Sequence, residues 1–249
     1  MFKIALNAGH GLYTPGKRCL KVLDPKETRE WTLNARICEK IESKLKAYTG
    51  YELLRIDDRT GKTDIKLIDR TNKANNWDAD FWLGLHANAH PLKSIGPNGG
   101  SGNGIVAIIY TSASKKSEEW QKALYDSLIK HTGLKGNRSE PLAKMNLHEV
   151  RETKMPAVLL ELGFMDNAKD VPVILSEDFA DKCATAIVEV LAQKGGLKKK
   201  TQAENKHRKN VVEACEFSAE TVAYLDNYKY SAELYKALWE CLREGKKRY

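Results

Sequence analysis

The 249-residue sequence predicts an α/β fold: a twisted, mostly parallel sheet with helices on both faces, followed by a small helical module at the C-terminus. Three observations carry this. Apolar runs of strand length alternate with stretches whose apolar residues recur every three or four positions. Most of the strand-like runs are apolar throughout, the pattern of strands covered on both faces. After Gln193 the alternation stops and the composition turns polar and basic.

Taken in order, "FKIALNA" at the N-terminus reads as a first buried strand. Leu33, Ile37, Ile41 and Leu45 form a stripe at spacing four, which predicts a helix over 30–45. "YELLRI" (51–56) is a second strand, and "DIKLIDRTNKANNW" (64–77) a helix started by Asp64. "DFWLGLHAN" (80–88) is an apolar strand, and 91–104 a glycine-rich loop. "IVAIIYT" (105–111) is a β-branched strand, followed by a helix closed at Gly133. "PAVLLELGF" (156–164) is another buried strand, and Pro172–Gln193 the last helix of this unit. The letters "GGSGNG" precede a strand instead of joining a strand to a helix, which excludes a dinucleotide-binding turn.

The expected organisation is a main domain over 1–194, a basic linker over 195–210 and a helical module over 211–249. In that module Ser231 is the expected N-cap of a helix whose apolar stripe is Leu234, Leu238, Cys241 and Leu242. A piece of this size has little core of its own, so it packs on the larger domain, self-associates as a homodimer, or does both.

The net charge is +8, which favours anionic partners such as nucleic acid or an anionic cell wall. No DNA- or RNA-binding module is recognisable, so charge alone carries the nucleic-acid reading. No run reaches the roughly 18 apolar residues of a membrane span. "MFKIALNAGH" leaves no basic–apolar signal, so the expectation is synthesis in the cytoplasm and action after release by another route. The five cysteines are odd in number and unpaired in spacing, the pattern of reduced thiols; Cys38, Cys183 and Cys241 read as small buried core residues.

Four side chains stand out by position. His10 follows the first strand, Glu30 opens the first helix, His86 ends "FWLGLH", and Glu161 sits inside "AVLLELGF". Ligand sites in open α/β sheets form beyond the carboxyl ends of the strands, where these residues converge. Two imidazoles and a carboxylate suit Zn²⁺ with one position left open, and a further glutamate suits a general base. A turn histidine and a first-turn glutamate favoured by the helix dipole are the plainer readings of His10 and Glu30. A carboxylate at Glu161 has no plain reading, because burial in an apolar strand is costly unless the group is paired or functional.

"NAGHG" (7–11), "EWTLNARI" (30–37), "RTNKANNWDADFWLGLHANA" (70–89) and "LHEVRETKMPAVLLELGFMDN" (147–167), in this order, resemble the zinc-dependent family-3 N-acetylmuramoyl-L-alanine amidases of bacterial autolysins and phage endolysins. The resemblance covers residues 1–194. It implies one Zn²⁺ held by His10, Glu30 and His86, with Glu161 catalytic and Glu27 a rival to Glu30. It also implies an architectural Arg70, and an Asn88 that faces substrate or holds the turn after His86. The family often has Asp-Pro-Gly-His-Gly-Gly, where this chain has Asn7-Ala8-Gly9-His10-Gly11-Leu12. His90, His131 and His148 are expected at the surface. The implied substrate is peptidoglycan, cut between N-acetylmuramic acid and L-alanine by a phage or prophage endolysin. A host autolysin, a sporulation amidase and a non-catalytic wall-binding protein are the alternatives. The C-terminal module is then expected to bind anionic wall polymers or to dimerise, with no membrane insertion and no nucleic-acid partner.

Overall fold

The computed structural model describes every residue except 91–95, 97, 98, 201, 227, 229, 230 and 246–249. The chain divides into two units, Met1–Leu45 with Gly50–Leu197, and Lys46–Thr49 with Lys198–Tyr249.

The first unit is built on a six-stranded sheet. Its strands are β1 (Phe2–Ala8), β3 (Tyr51–Arg55), β4 (Phe81–Asn88), β5 (Ile105–Ile109), β6 (Leu142–Lys144) and β7 (Ala157–Phe164), in the order β3-β1-β4-β7-β5-β6. All neighbours are parallel except β5 and β7. The apolar runs occupy the middle of the sheet, where both faces are covered: every residue of β5, and seven of the eight in each of β4 and β7, is buried.

Helices α1 (Glu30–Leu45), α3 (Lys115–Thr132) and α6 (Glu177–Gly195) pack together on one face, α6 touching both others. Phe81 stacks on Trp120 of α3 there, with ring centroids 3.9 Å apart. On the other face lie α2 (Leu67–Asn76) and the one-turn α4 (His148–Arg151), over a core containing Ala5, Trp82, Ile108 and Leu159. Alternation along the strands puts Asn7, Gly84, His86 and Glu161 on this second face, towards the carboxyl ends of β1, β4 and β7.

Several boundaries differ from expectation for identifiable reasons. Asp64 does not start α2; its carboxylate accepts from the Thr14 hydroxyl (2.6 Å) and from Arg70 (3.0 Å), and the helix begins at Leu67. The helix expected over 172–193 is two, α5 (Asp170–Ile174) and α6, because the Ser176 side chain caps a new start by accepting from the Phe179 N–H at 3.1 Å. Helix α3 does end at Gly133 as expected.

In the second unit, β2 (Tyr48–Thr49) pairs antiparallel with β8 (Lys198–Lys199). The polar 195–210 stretch, expected as a linker, is largely helical: α7 spans Gln202–Cys215, followed by α8 (Ala219–Asp226) and α9 (Ser231–Gly245). Its charges do not oppose helix formation, since few Gly or Pro residues interrupt them. Val211 of α7 and Tyr235 of α9 are buried, while Cys241 is exposed. The buried stripe of α9 is therefore rotated away from Cys241 towards Ser231 and Tyr235. Arg208 donates twice to Asp226 at 2.8 Å, and the Tyr235 hydroxyl donates to the same carboxylate at 3.2 Å. Among the described residues, no helix is long and apolar enough to cross a membrane.

Candidate metal centre and active site

The site forms where β1, β4 and β7 end and α1 begins. Past β1 the chain turns sharply, with His10 in the left-handed backbone region at φ 65°. Buried Arg70 holds that turn. Its guanidinium donates to Ala8 O (2.8 Å), His10 O (2.9 Å), Asn7 Oδ1 (2.6 Å), Ile65 O (2.8 Å) and Asp64 Oδ1 (3.0 Å). The architectural role expected of Arg70 is thus visible as a five-bond clamp between β1 and α2.

His10, Glu30 and His86 come together, with one possible ligand atom from each lying within 4.8 Å of the others. Glu30 is buried at the first turn of α1, so it is not a solvated end-of-helix carboxylate. Its Oε1 faces His86 Nδ1 at 3.2 Å and accepts from the Ala87 N–H at 3.2 Å. Its Oε2 lies 3.4 Å from His10 Nε2 and 3.8 Å from Lys17 Nζ. That oxygen is sealed from solvent and has no hydrogen-bond partner. The two imidazoles meet edge to face, centroids 5.1 Å apart. Glu27 does not join them; it is in the left-handed region and pairs with Arg18 at 2.8 Å.

His86 is gripped from several sides. Its Nε2 lies 3.0 Å from Glu149 Oε1, and Gly9 backs onto its ring so closely that a Cβ at position 9 would fall 2.2 Å from Cε1. Burial alone would depress the His86 pKa, but the Glu149 and Glu30 carboxylates override it and hold the group well above its ordinary value. The ring thus lies between two carboxylates, with Nε2 facing Glu149 and Nδ1 facing Glu30. At His10 desolvation outweighs the opposing Glu30 and Asp64 carboxylates, and the pKa falls to about 4.

Glu161 pairs in register with His86 across β4 and β7, which puts the two side chains beside each other on one face. The residue is half-buried, yet its Oε2 is sealed and unpartnered. Desolvation, offset in part by His86 and reinforced by Glu30, pushes its pKa up to about 7. Two sealed, unpartnered carboxylate oxygens beside two imidazoles are what a divalent cation requires of a protein cradle. The mixed nitrogen and oxygen donors of His10, Glu30 and His86 fit Zn²⁺ as three of its usual four ligands.

The chain matches the family model of N-acetylmuramoyl-L-alanine amidase over residues 4–193. It belongs to that family. The sporulation-specific N-acetylmuramoyl-L-alanine amidase of Bacillus subtilis (strain 168) is 32% identical over 200 residues, 80% of this chain and 70% of that protein. The endolysin of Bacillus phage SPP1 is 32% identical over 199 residues, 79% of this chain and 67% of the other. Among solved structures, the catalytic domain of the amidase CwlV from Bacillus (Paenibacillus) polymyxa var. colistinus superposes with a TM-score of 0.66 at 27% identity, covering 80% of this chain and all of that domain. An amidase from Clostridium difficile 630 gives 0.66 at 26% identity, over 77% and 95% of the two chains.

In this amidase the remaining candidates sit outside the cluster. Asn88 uses its Oδ1 to accept from the Ala89 N–H at 2.9 Å, holding the turn after β4. None of the three histidines expected at the surface is free there. His148 Nε2 meets Thr71 Oγ1 at 3.2 Å, and His131 meets Glu189 at 2.8 Å. His90 bonds Asp166 through Nδ1 and accepts the Gly102 N–H on Nε2 at 3.0 Å, latching the described end of the 91–104 loop, the expected rim of a peptide groove. Residues 91–95, 97 and 98 of that loop lie outside the described residues. Glu149 and Lys17 are site neighbours that sequence patterns do not reveal: Glu149 sits on a one-turn helix without periodicity, and Lys17 in an irregular loop.

Proposed function

We propose that the chain is a zinc-dependent peptidoglycan amidase that hydrolyses the bond between the lactyl group of N-acetylmuramic acid and L-alanine. The observation that carries this reading is the His10–Glu30–His86 cluster beside a glutamate whose carboxyl is pushed up to about 7. His10, Glu30 and His86 would hold the ion. Zn²⁺ bound there supplies Lewis acidity towards the scissile carbonyl and towards water. Glu161 takes the proton of the attacking water and delivers it to the departing amine nitrogen of L-alanine. A carboxyl near neutrality is matched to both halves of that transfer, because it neither holds nor releases the proton too strongly.

The expected product is new free L-alanine amino termini, read by mass analysis of digested peptidoglycan; new reducing sugars would instead identify a glycosidase. Glu161→Gln should keep stoichiometric zinc and lose at least roughly 100-fold in lysis rate, on the order of a general base's contribution. Full lysis by that variant would remove Glu161 from the mechanism.

The reading extends to host lysis by a phage or prophage endolysin acting at the wall after release, supported by the likeness to the SPP1 endolysin. The equal identity to the sporulation-specific amidase supports the alternative setting. Transcript timing separates them: prophage induction raises the first, spore formation the second.

A further inference from the structure

The cluster at the sheet end includes a buried carboxylate that the proposed hydrolysis does not use. Glu149 is 4% exposed, on α4, and its two oxygens have different partners. Oε1 faces His86 Nε2 at 3.0 Å, and Oε2 accepts from Asn7 Nδ2 at 3.0 Å. Asn7 is not free to turn over, because its Oδ1 accepts from Arg70 Nη1 at 2.6 Å. The sense of the chain is therefore fixed from Arg70 through Asn7 to Glu149, and from His86 back to Glu149. The fold makes room for it: a Cβ on Gly84 would lie 2.7 Å from Glu149 Oε2, so glycine at this point of β4 lets the carboxylate reach the sheet. A buried acid with both oxygens specified by neutral or cationic donors, in a pocket cleared by a missing side chain, is a built contact.

We propose that Glu149 is the positioning residue of the metal centre: by accepting the Nε2 proton of His86 it fixes the imidazole with Nδ1 towards Glu30 and His10, and Asn7, oriented by Arg70, fixes Glu149. This rests on the assignment of His10, Glu30 and His86 as the metal ligands. A histidine that donates one ring nitrogen to a carboxylate presents the other as a more basic, oriented ligand. Arg70 thus acts on the site twice, through the His10 turn and through this relay.

The hydrogen-bond senses give a reciprocal test. In Glu149→Gln one amide faces another, since Asn7 Nδ2 must still donate while the one oxygen left on the substituted side chain is needed by His86. In Asn7→Asp two carboxylates face each other. The double variant Asn7→Asp/Glu149→Gln restores one donor opposite one acceptor at every link. Zn²⁺ affinity is measured by competition with a chromophoric chelator on the full chain, with unfolding in chelator as the control for folding. Each single variant should bind Zn²⁺ roughly 10- to 100-fold more weakly, the usual cost of losing such a contact. The double variant should bind more tightly than either single one. Gly84→Ala, which touches no proposed ligand, should weaken Zn²⁺ binding in the same direction. Wild-type affinity in both Glu149→Gln and Gly84→Ala, or a double variant no tighter than the weaker single one, overturns the positioning role. His10→Ala keeps the two assignments apart. If it retains full Zn²⁺ binding, the metal site itself fails; if it loses binding while Glu149→Gln keeps it, only the relay fails.

Discussion

Glu161 is where chemistry and stability oppose each other. Its carboxyl is raised from an ordinary 4.5 to about 7, chiefly by desolvation. Below 4.5 the folded and unfolded chains both hold the proton. Between 4.5 and about 7 only the folded chain does, so the contribution to stability is lost as pH rises through that window. In chelator-treated protein the stability difference between Glu161→Gln and the parent should shift in favour of the variant by about 3 kcal/mol between about pH 4 and pH 8, at roughly 1.36 kcal/mol per unit. Denaturant unfolding at the two pH values measures it, and a gap that does not change with pH would show that Glu161 is not forced to ionise in a buried place. Gly9 makes a complementary case at the same scale. Its missing side chain is what admits the His86 ring, so Gly9→Ala should unseat His86 and reduce bound zinc well below one per chain, read by metal analysis of the purified protein.

At the scale of elements, the clamp between β1 and α2 decides whether His10 is presented at all. Arg70 makes five hydrogen bonds from a buried planar fork, three of them to the main-chain carbonyls of Ala8, His10 and Ile65. A lysine carries its donors on one point and cannot span them, leaving buried carbonyls unpaired. Arg70→Lys should lose about 3 kcal/mol or more in denaturant unfolding and should weaken zinc binding as well. Unchanged stability would mean that water replaces the fork without penalty. The same elements show what the sequence makes legible. His10, His86 and Glu161 are conspicuous because apolar strands run into them, and the carboxyl ends of parallel strands lie together. Glu30 is conspicuous only as the start of a periodic helix, and its burial depends on the sheet end it meets. Glu149 is silent, since four residues of helix carry no period, and so is β6, whose three residues alternate too briefly. The reversal of β5 against β7 is silent too, with nothing in "IVAII" to distinguish the two directions.

At the scale of the molecule, the family match ends at residue 193 and the first unit at Leu197, so the chemistry and its core fall on one side of that boundary. The second unit has its own ties: the Arg208–Asp226–Tyr235 network, buried Val211, and the short β2–β8 ladder that draws in Lys46–Thr49. These ties make no use of the proposed ligands. Its exposed tyrosines, Tyr224 and Tyr228, and its excess of Lys and Arg over Asp and Glu make the expected contact with anionic wall polymers testable by truncation. A chain ending at residue 197 keeps every residue of the first unit and removes β8, the antiparallel partner of β2. It should therefore unfold cooperatively, bind zinc with parental affinity, and hydrolyse a soluble muropeptide within about twofold of the full chain, since a surface ladder of this size is worth on the order of 1 kcal/mol. Sedimentation with intact walls should fall with the same truncation, and more steeply at low salt, where attraction between the basic module and the wall is least screened. Equal sedimentation of the two chains at every salt concentration would take wall targeting away from the second unit. The self-association reading then stands or falls on the molar mass of each chain in solution.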